Sequence, residues 1–267
     1  MIKAVREAKL HTSWTETGAA YEDALLQFMR SALEPRDNNL FLADFLAFWR
    51  PVARFGLLNG LSQTLCKLAA PGVPDIYQGN ELWDFSLVDP DNRRPVDYHR
   101  RGELLAQLDR EGAHLSIEEV VEHLEDGRCK LLLTWRALQL RRAQPELFSE
   151  GDYRRLRVHG SRAHYLCAFA RRCARHTAVV IAPRLYRRLL GDPARLPLGS
   201  GVWENTLIEL PPDAGSRGPW RNVLDGAELE TVRHGDGFAI LAAQALARFP
   251  VALLSGGGDA VVPPTAR

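Results

Sequence analysis

The sequence predicts a fold in two parts, an α/β region followed by an all-β region. Three observations carry that expectation. Residues 2–70 and 102–142 place apolar side chains at helical spacing. Between them, residues 73–77 form a short apolar run bracketed by Pro71-Gly72 and Gly79, the pattern of one strand buried in a parallel sheet or barrel. From Asp152 onward the period falls to two, and Gly, Pro and Asp punctuate the segments.

Composition bounds the function classes. The 267 residues suffice for one large domain or two modest ones. A hydrophobic fraction of 46%, a charged fraction of 25% and a formal net charge of +1 are ordinary for a globular protein and give no global reason to expect nucleic acid or a membrane as partner. No apolar run reaches membrane-span length, and MIKAVREAKL lacks the apolar region of a signal peptide. Cys66, Cys129, Cys167 and Cys173 show neither zinc spacing nor a compact disulfide framework, so they read as reduced thiols of a cytoplasmic protein. Nothing in the pattern asks for a metal or another cofactor.

The elements come in order. Residues 2–10 read as a short basic helix. Thr17 or Gly18 starts the next, with Tyr21, Ala24, Leu25, Phe28, Met29 and Ala32 on one stripe, and Pro35 breaks it. Asn38 is the expected cap of a third helix carrying Leu42, Phe45, Leu46 and Trp49. Pro51 should kink or restart it, and Val52, Phe55, Leu58, Leu61, Leu65 and Leu68 continue the pattern to Ala70.

Past Gly79 the composition changes abruptly. Glu81, Asp84, Asp89, Asp91 and Asp97 join Arg93, Arg94, Trp83 and Tyr98 in a loop too long for a plain connector. A strand feeding a polar loop at its C-terminal end is where α/β barrels place their chemistry. Aromatic rings, carboxylates, amides and guanidinium groups together suit a carbohydrate, through stacking and hydroxyl hydrogen bonds. The alternative stays open: residues 89–94 could simply pin a turn with Asx-type bonds and internal ion pairs.

These residues carry a resemblance. PGVPDIYQGNELWDFSLVDPDNRRPVDY is similar to the last-strand region of the malto-oligosyltrehalose synthase family, a branch of the α-amylase superfamily. Gly72, Pro74, Ile76, Tyr77, Gly79 and Glu81 match the superfamily pattern, and Trp83 with residues 86–95 matches the trehalose-forming extension. Lys3-Ala4, residues 6–9, residues 12–14 and Tyr21-Glu22 resemble a family stretch between the last two barrel strands. The resemblance implies the C-terminal part of a (β/α)8 barrel, containing its last strand and flanking helices, followed by an antiparallel β-sandwich. It implies rearrangement of the reducing-end α-1,4 bond of a malto-oligosaccharide into an α,α-1,1 bond through a covalent glycosyl intermediate. The substrate-binding candidates are then Tyr77, Gln78, Glu81, Asp84, Asp89, Asp91, Asn92, Arg93 and Arg94, with Lys9 and Trp14 from the earlier stretch.

The family's nucleophile, acid/base and third aspartate belong to motifs of earlier strands that this sequence does not contain, so no catalytic residue is assigned. The expectation is the C-terminal portion of a longer enzyme, inactive alone and completed by the preceding portion as partner. Two other readings compete: a stand-alone maltodextrin-binding module, and a nucleic-acid-binding domain built on eleven arginines against three acids in residues 150–199, the latter weakened by the lack of any nucleic-acid motif.

Beyond the loop, residues 102–110 and 117–124 read as short amphipathic helices, and residues 118–125 as a solvated acidic face. Residues 130–142 form a clearer helix that Pro145 ends, and LQLRRAQPELFSEGDYRRL resembles a final barrel helix and its exit. Strands are expected at 153–158, 163–170, 178–182, 206–210, 220–224, 238–242 and 251–254. The resulting division is 1–149 for the barrel part, 150–254 for the sandwich and 255–267 for a flexible tail.

Overall fold

The structure, a computed structural model, describes residues 1–87, 89, 91–110, 116–212 and 219–256. The chain divides into two compact units, Met1–Arg54 and Phe55–Arg267.

The first unit is helical. It contains α1 (Ile2–Ala8), α2 (Ala19–Leu33) and the beginning of α3 (Leu40–Ala69). Lys9 ends α1 in the left-handed region at φ 55°. The cap of α3 is Asn39 rather than Asn38: its Oδ1 accepts the Leu42 N–H at 3.0 Å, while its Nδ2 donates to the carbonyls of Ala32 and Glu34 at 2.9 Å each. One side chain thus closes the end of α2 and opens α3, because both leave orphan backbone groups. The helix runs through Pro51 without restarting. One lost intrahelical bond does not outweigh the burial gained farther along α3, where Leu58, Leu61, Leu65 and Leu68 are wholly buried.

The second unit begins in that buried half of α3. The expected strand at 73–77 does not form: Val73 is 95% exposed, and the segment belongs to no ladder among the described residues. A strand exists only beside a hydrogen-bonding neighbour, and every ladder among the described residues lies beyond Asp152 and is antiparallel. Next come α4 (Tyr98–Arg110), α5 (Ile117–Glu122), α6 (Arg128–Ala143) and α7 (Pro145–Ser149). Ser116 caps α5 by accepting the Glu119 N–H at 3.2 Å. The acidic stretch around α5 is not merely solvated: Glu118 takes a bidentate pair from Arg248, and Glu119 pairs with Arg128.

The strands then begin: β1 (Asp152–Arg155), β2 (Val158–His159), β3 (Leu166–Cys173) and β4 (His176–Pro183). After α8 (Tyr186–Leu190) and α9 (Ser200–Trp203) come β5 (Leu207–Glu209), β6 (Trp220–Asn222), β7 (Glu228–Leu229), β8 (Val232–His234) and β9 (Gly237–Leu241). The last elements are α10 (Ala242–Ala245) and β10 (Ala252–Gly256). They form two antiparallel sheets, β1-β3-β4-β10-β6-β7 and β2-β5-β9-β8. The strand expected at 153–158 is therefore two strands in different sheets, and β7 and β8 are too short to show a period in the sequence. The segment expected as strand from 163 opens with a 3-10 turn, Ala163–Tyr165. Ser255 and Gly256 belong to β10, and residues 257–267 of the expected tail lie outside the described residues.

Two polar contacts fix α3 against β3 and β4. The Ser62 hydroxyl lies 2.7 Å from both the Pro183 carbonyl and the Tyr186 hydroxyl. Arg171, only 1% exposed, donates to the carbonyls of Ala69, Phe148 and Gly151 at 3.3, 3.0 and 2.8 Å. It serves three orphan carbonyls with a single fork of donors.

Candidate functional site

The loop between α3 and α4 is built from the second unit's own framework. Gly79 turns at φ 90°, where a side chain would be strained and its Cβ would lie 3.3 Å from Val96. Arg101, in the first turn of α4, reaches back and donates to Glu81 at 3.1 Å, the Gly79 carbonyl at 2.8 Å and the Asp97 carbonyl at 3.1 Å. That clamp joins the two ends of the loop. Trp83 is a second anchor: its indole N–H donates to the Leu124 carbonyl at 2.5 Å, and its ring lies so close to Gly60 that a Cβ there would come within 2.9 Å. Lys130 donates to the Leu82 carbonyl at 3.0 Å with its ammonium 5.2 Å from the Trp83 ring centroid. Burial, and secondarily Lys67, lower the Lys130 pKa; Asp84 and Glu81 oppose the shift.

The predicted residues Tyr77, Gln78, Glu81, Asp84, Asp89, Asp91, Asn92, Arg93 and Arg94 all lie on this one loop, and most of its carboxylates are already engaged. Glu81 holds Arg101. Asp84 accepts from the Ser86 hydroxyl at 2.5 Å and the Ser86 N–H at 2.9 Å, and these bonds, hydroxyl first, lower its pKa. Asp89 pairs with Arg93, and Asp91 pairs with Arg94 while accepting the Leu87 N–H at 2.8 Å. The local reading of residues 89–94 as a self-braced turn therefore describes them well. Asn92 differs: its Oδ1 is buried with no hydrogen-bond partner among the described residues.

Beside the ion-paired Arg93 and Arg94, the loop presents aromatic and apolar side chains outward. Tyr77, Phe85, Leu87 and Tyr98 are 42%, 79%, 68% and 61% exposed. The Tyr98 hydroxyl lies 3.5 Å from the Gln78 amide oxygen, so a phenol and an amide stand side by side. Such a surface can stack on an apolar sugar face and hydrogen bond its hydroxyls. Arg101 and the exposed Phe85 were not singled out in the sequence. Arg101 comes directly after another arginine at a helix start, and no spacing distinguishes the one that turns inward.

Lys9 and Trp14 belong to the first unit. Lys9 is exposed at the end of α1. Trp14 is 51% exposed, donates its indole N–H to Glu7 at 3.0 Å and carries the Arg6 guanidinium 5.2 Å from its ring centroid. Arg6 also forms a bidentate pair with Glu22, which accepts the Thr12 hydroxyl as well.

Several arginines of residues 150–199 are used internally. Arg171 is buried, Arg184 and Arg187 donate to the carbonyls of His164 and Gly191, and Arg162 pairs with Glu204. Among the described residues no helix is long and apolar enough to cross a membrane.

Comparison with known proteins places these features. No family model matches the chain. A protein of Mycobacterium tuberculosis described as a maltooligosyl trehalose synthase is 35% identical over 206 residues, which are 77% of this chain and 24% of that protein. The structure of maltooligosyltrehalose synthase from Arthrobacter ramosus matches 96% of this chain and 29% of its own, with 34% identity and a TM-score of 0.72. A hypothetical maltooligosyl trehalose synthase from Sulfolobus tokodaii matches 95% of this chain and 28% of its own, at 25% identity and a TM-score of 0.61. The similarity first read from the loop residues thus extends over most of the chain. The chain spans about a quarter of the length of the curated relatives it matches.

Proposed function

We propose that this chain acts as the corresponding portion of a malto-oligosyltrehalose synthase, a cytoplasmic isomerase that converts the reducing-end α-1,4 bond of a malto-oligosaccharide into an α,α-1,1 bond by intramolecular glycosyl transfer. The observation that carries the reading is the 34% identity and TM-score of 0.72 to the Arthrobacter ramosus enzyme across 96% of the chain. In this reading residues 1–149 are the C-terminal part of a (β/α)8 barrel, and the two antiparallel sheets are its β-sandwich companion. The loop at 77–94 is a wall of the substrate site. Tyr77, Gln78 and Tyr98 contact sugar, while Phe85 and Leu87 help exclude water from a glucosyl unit that must turn round before it is rejoined.

The engagement of the loop carboxylates supports assigning them to bracing rather than to bond breaking. A retaining transfer needs a nucleophilic carboxylate and a separate acid/base placed across the scissile bond. Glu81, Asp89 and Asp91 are each tied to an arginine, and Asp84 to Ser86. The reacting carboxylates then come from other parts of the enzyme, and the 267-residue chain alone does not turn over.

The test is product analysis on maltopentaose, with the chain alone and co-expressed with a segment supplying the remaining length of its relatives. The non-reducing trehalosyl product should appear only in the second case, and a Tyr77→Ala, Tyr98→Ala chain should lower its rate by about tenfold or more. Turnover by the chain alone, or co-expressed activity indifferent to both tyrosines, would overturn the assignment.

A further inference from the structure

Two thiols outside the loop sit where α3 crosses the first sheet. Ser62, one turn before Cys66, bonds to the Pro183 carbonyl, and Pro183 is the ladder partner of Leu166, the residue next to Cys167. Ala69, one turn after Cys66, accepts from Arg171. The segment of α3 that carries Cys66 therefore runs along β3 between Leu166 and Arg171. Side chains alternate along a strand, so Cys167 shares its face with Arg171, the face turned to α3. Cys66 and Cys167 are thereby brought together at the α3–β3 contact, and each is the main influence on the other's acidity. Cys167 is exposed, whereas Cys66 is half-buried.

The surroundings differentiate the two sulfurs. The hydrogen bond donated by Cys66 holds the Cys167 pKa down at about 6 against the opposing effect of burial, helped by the positive charges of Arg184 and Arg155. The same bond, together with burial, pushes Cys66 up. An exposed thiolate among arginines beside a protonated thiol is the arrangement of a reactive sulfur and a resolving partner.

We propose that Cys66 and Cys167 form a peroxide-oxidisable dithiol that reversibly ties α3 to β3. The Cys167 thiolate attacks one oxygen of hydrogen peroxide, the O–O bond breaks, and Cys167 sulfenic acid forms while hydroxide takes a proton to become water. The Cys66 sulfur, losing its proton, then attacks the Cys167 sulfur, the S–O bond breaks, and a second water leaves with the disulfide formed. Two thiols are oxidised and one peroxide is reduced to two waters. A dithiol reductant reverses the reaction by exchange. Nothing in this depends on glycosyl transfer.

The 267-residue chain would be treated with graded hydrogen peroxide, alkylated, digested and analysed by mass spectrometry, with the half-buried Cys173 as internal control. A linked peptide containing Cys66 and Cys167, lighter than its two parts by two hydrogens, should form at least about tenfold faster than any oxidation of Cys173. Dithiothreitol should restore both thiols. In Cys66→Ser, Cys167 should instead accumulate as a sulfenic acid that dimedone captures, and in Cys167→Ser, Cys66 should stay reduced at the same dose. Oxidation of Cys173 in step with Cys167, or wild-type Cys167 passing to sulfinic acid without a linked peptide, would overturn the proposal.

Discussion

Residues 1–54 and residues 55–256 both contain amphipathic helices, yet they treat their apolar faces in opposite ways. In the second region α3 buries Leu58, Leu61, Leu65 and Leu68 completely, and the core continues through α6 and the sheets to Leu254. In the first, the buried residues are polar, Thr12 and Glu22, while Phe28, Leu40, Phe41, Phe48 and Trp49 are 71%, 81%, 57%, 70% and 48% exposed. The same helical period is present in both. Periodicity announces that a face will be covered; it does not say by what. Large apolar side chains exposed in such number fit an interaction site, and under the proposed function further polypeptide of the enzyme would cover them.

The sharpest way to break this contrast is to make equivalent deletions on either side of it. Leu65→Ala should cost about 2–5 kcal/mol, because the cavity forms in a closed core. Phe28→Ala should change stability by under about 0.5 kcal/mol, although more apolar surface is removed. Urea midpoints of the two variants measure the difference, and equal losses would dissolve the distinction. Arg171→Met comes next, at about 3 kcal/mol, since two buried carbonyls and one partly buried carbonyl lose their donor. The loop repeats the contrast on a smaller scale. Arg101→Ala, which opens the clamp on Gly79, Glu81 and Asp97, should cost about 1–2 kcal/mol. Arg94→Ala, whose side chain is 76% exposed, should cost under about 0.5 kcal/mol.

The smallest effects are in acid, and they compare a carboxylate from each region. The Arg6 side chain, then the Thr12 hydroxyl, hold the Glu22 pKa down at about 2. The Arg248 side chain, then a backbone N–H, do the same for Glu118. A depressed folded-state pKa means that each pair stabilises fully above the ordinary carboxylate value and that this contribution is lost as pH falls through about 2. Carbon-detected NMR titration should place both in that window, and Arg6→Met or Arg248→Met should raise only its own partner's pKa toward the ordinary carboxylate value, the remaining hydrogen bonds still holding it below.

Much of the helical layout was legible because helices declare themselves through near neighbours. Gly18 before α2, Pro35 after it and Pro145 at the start of α7 all punctuate as their backbone chemistry requires. The apolar run at 73–77 misled for the opposite reason. A strand is a relation with a second segment, and composition cannot supply the neighbour. The split of residues 152–159 between two sheets has the same origin. The loop residues were marked first by composition and then by family likeness, whereas their roles depended on Arg101, which becomes visible only when the loop folds back on α4. Cys66 and Cys167, distant from each other along the chain, carried no signal at all.

Hydrogen exchange of the 267-residue chain tests the central contrast most directly. Amides of β4 and β10, hydrogen-bonded within a buried sheet, should resist exchange up to global unfolding, while those of α2 should exchange through local opening orders of magnitude sooner. Protection of α2 equal to that of β4 would contradict the account, because residues 1–54 would then share the core's stability without the buried apolar surface that produces it.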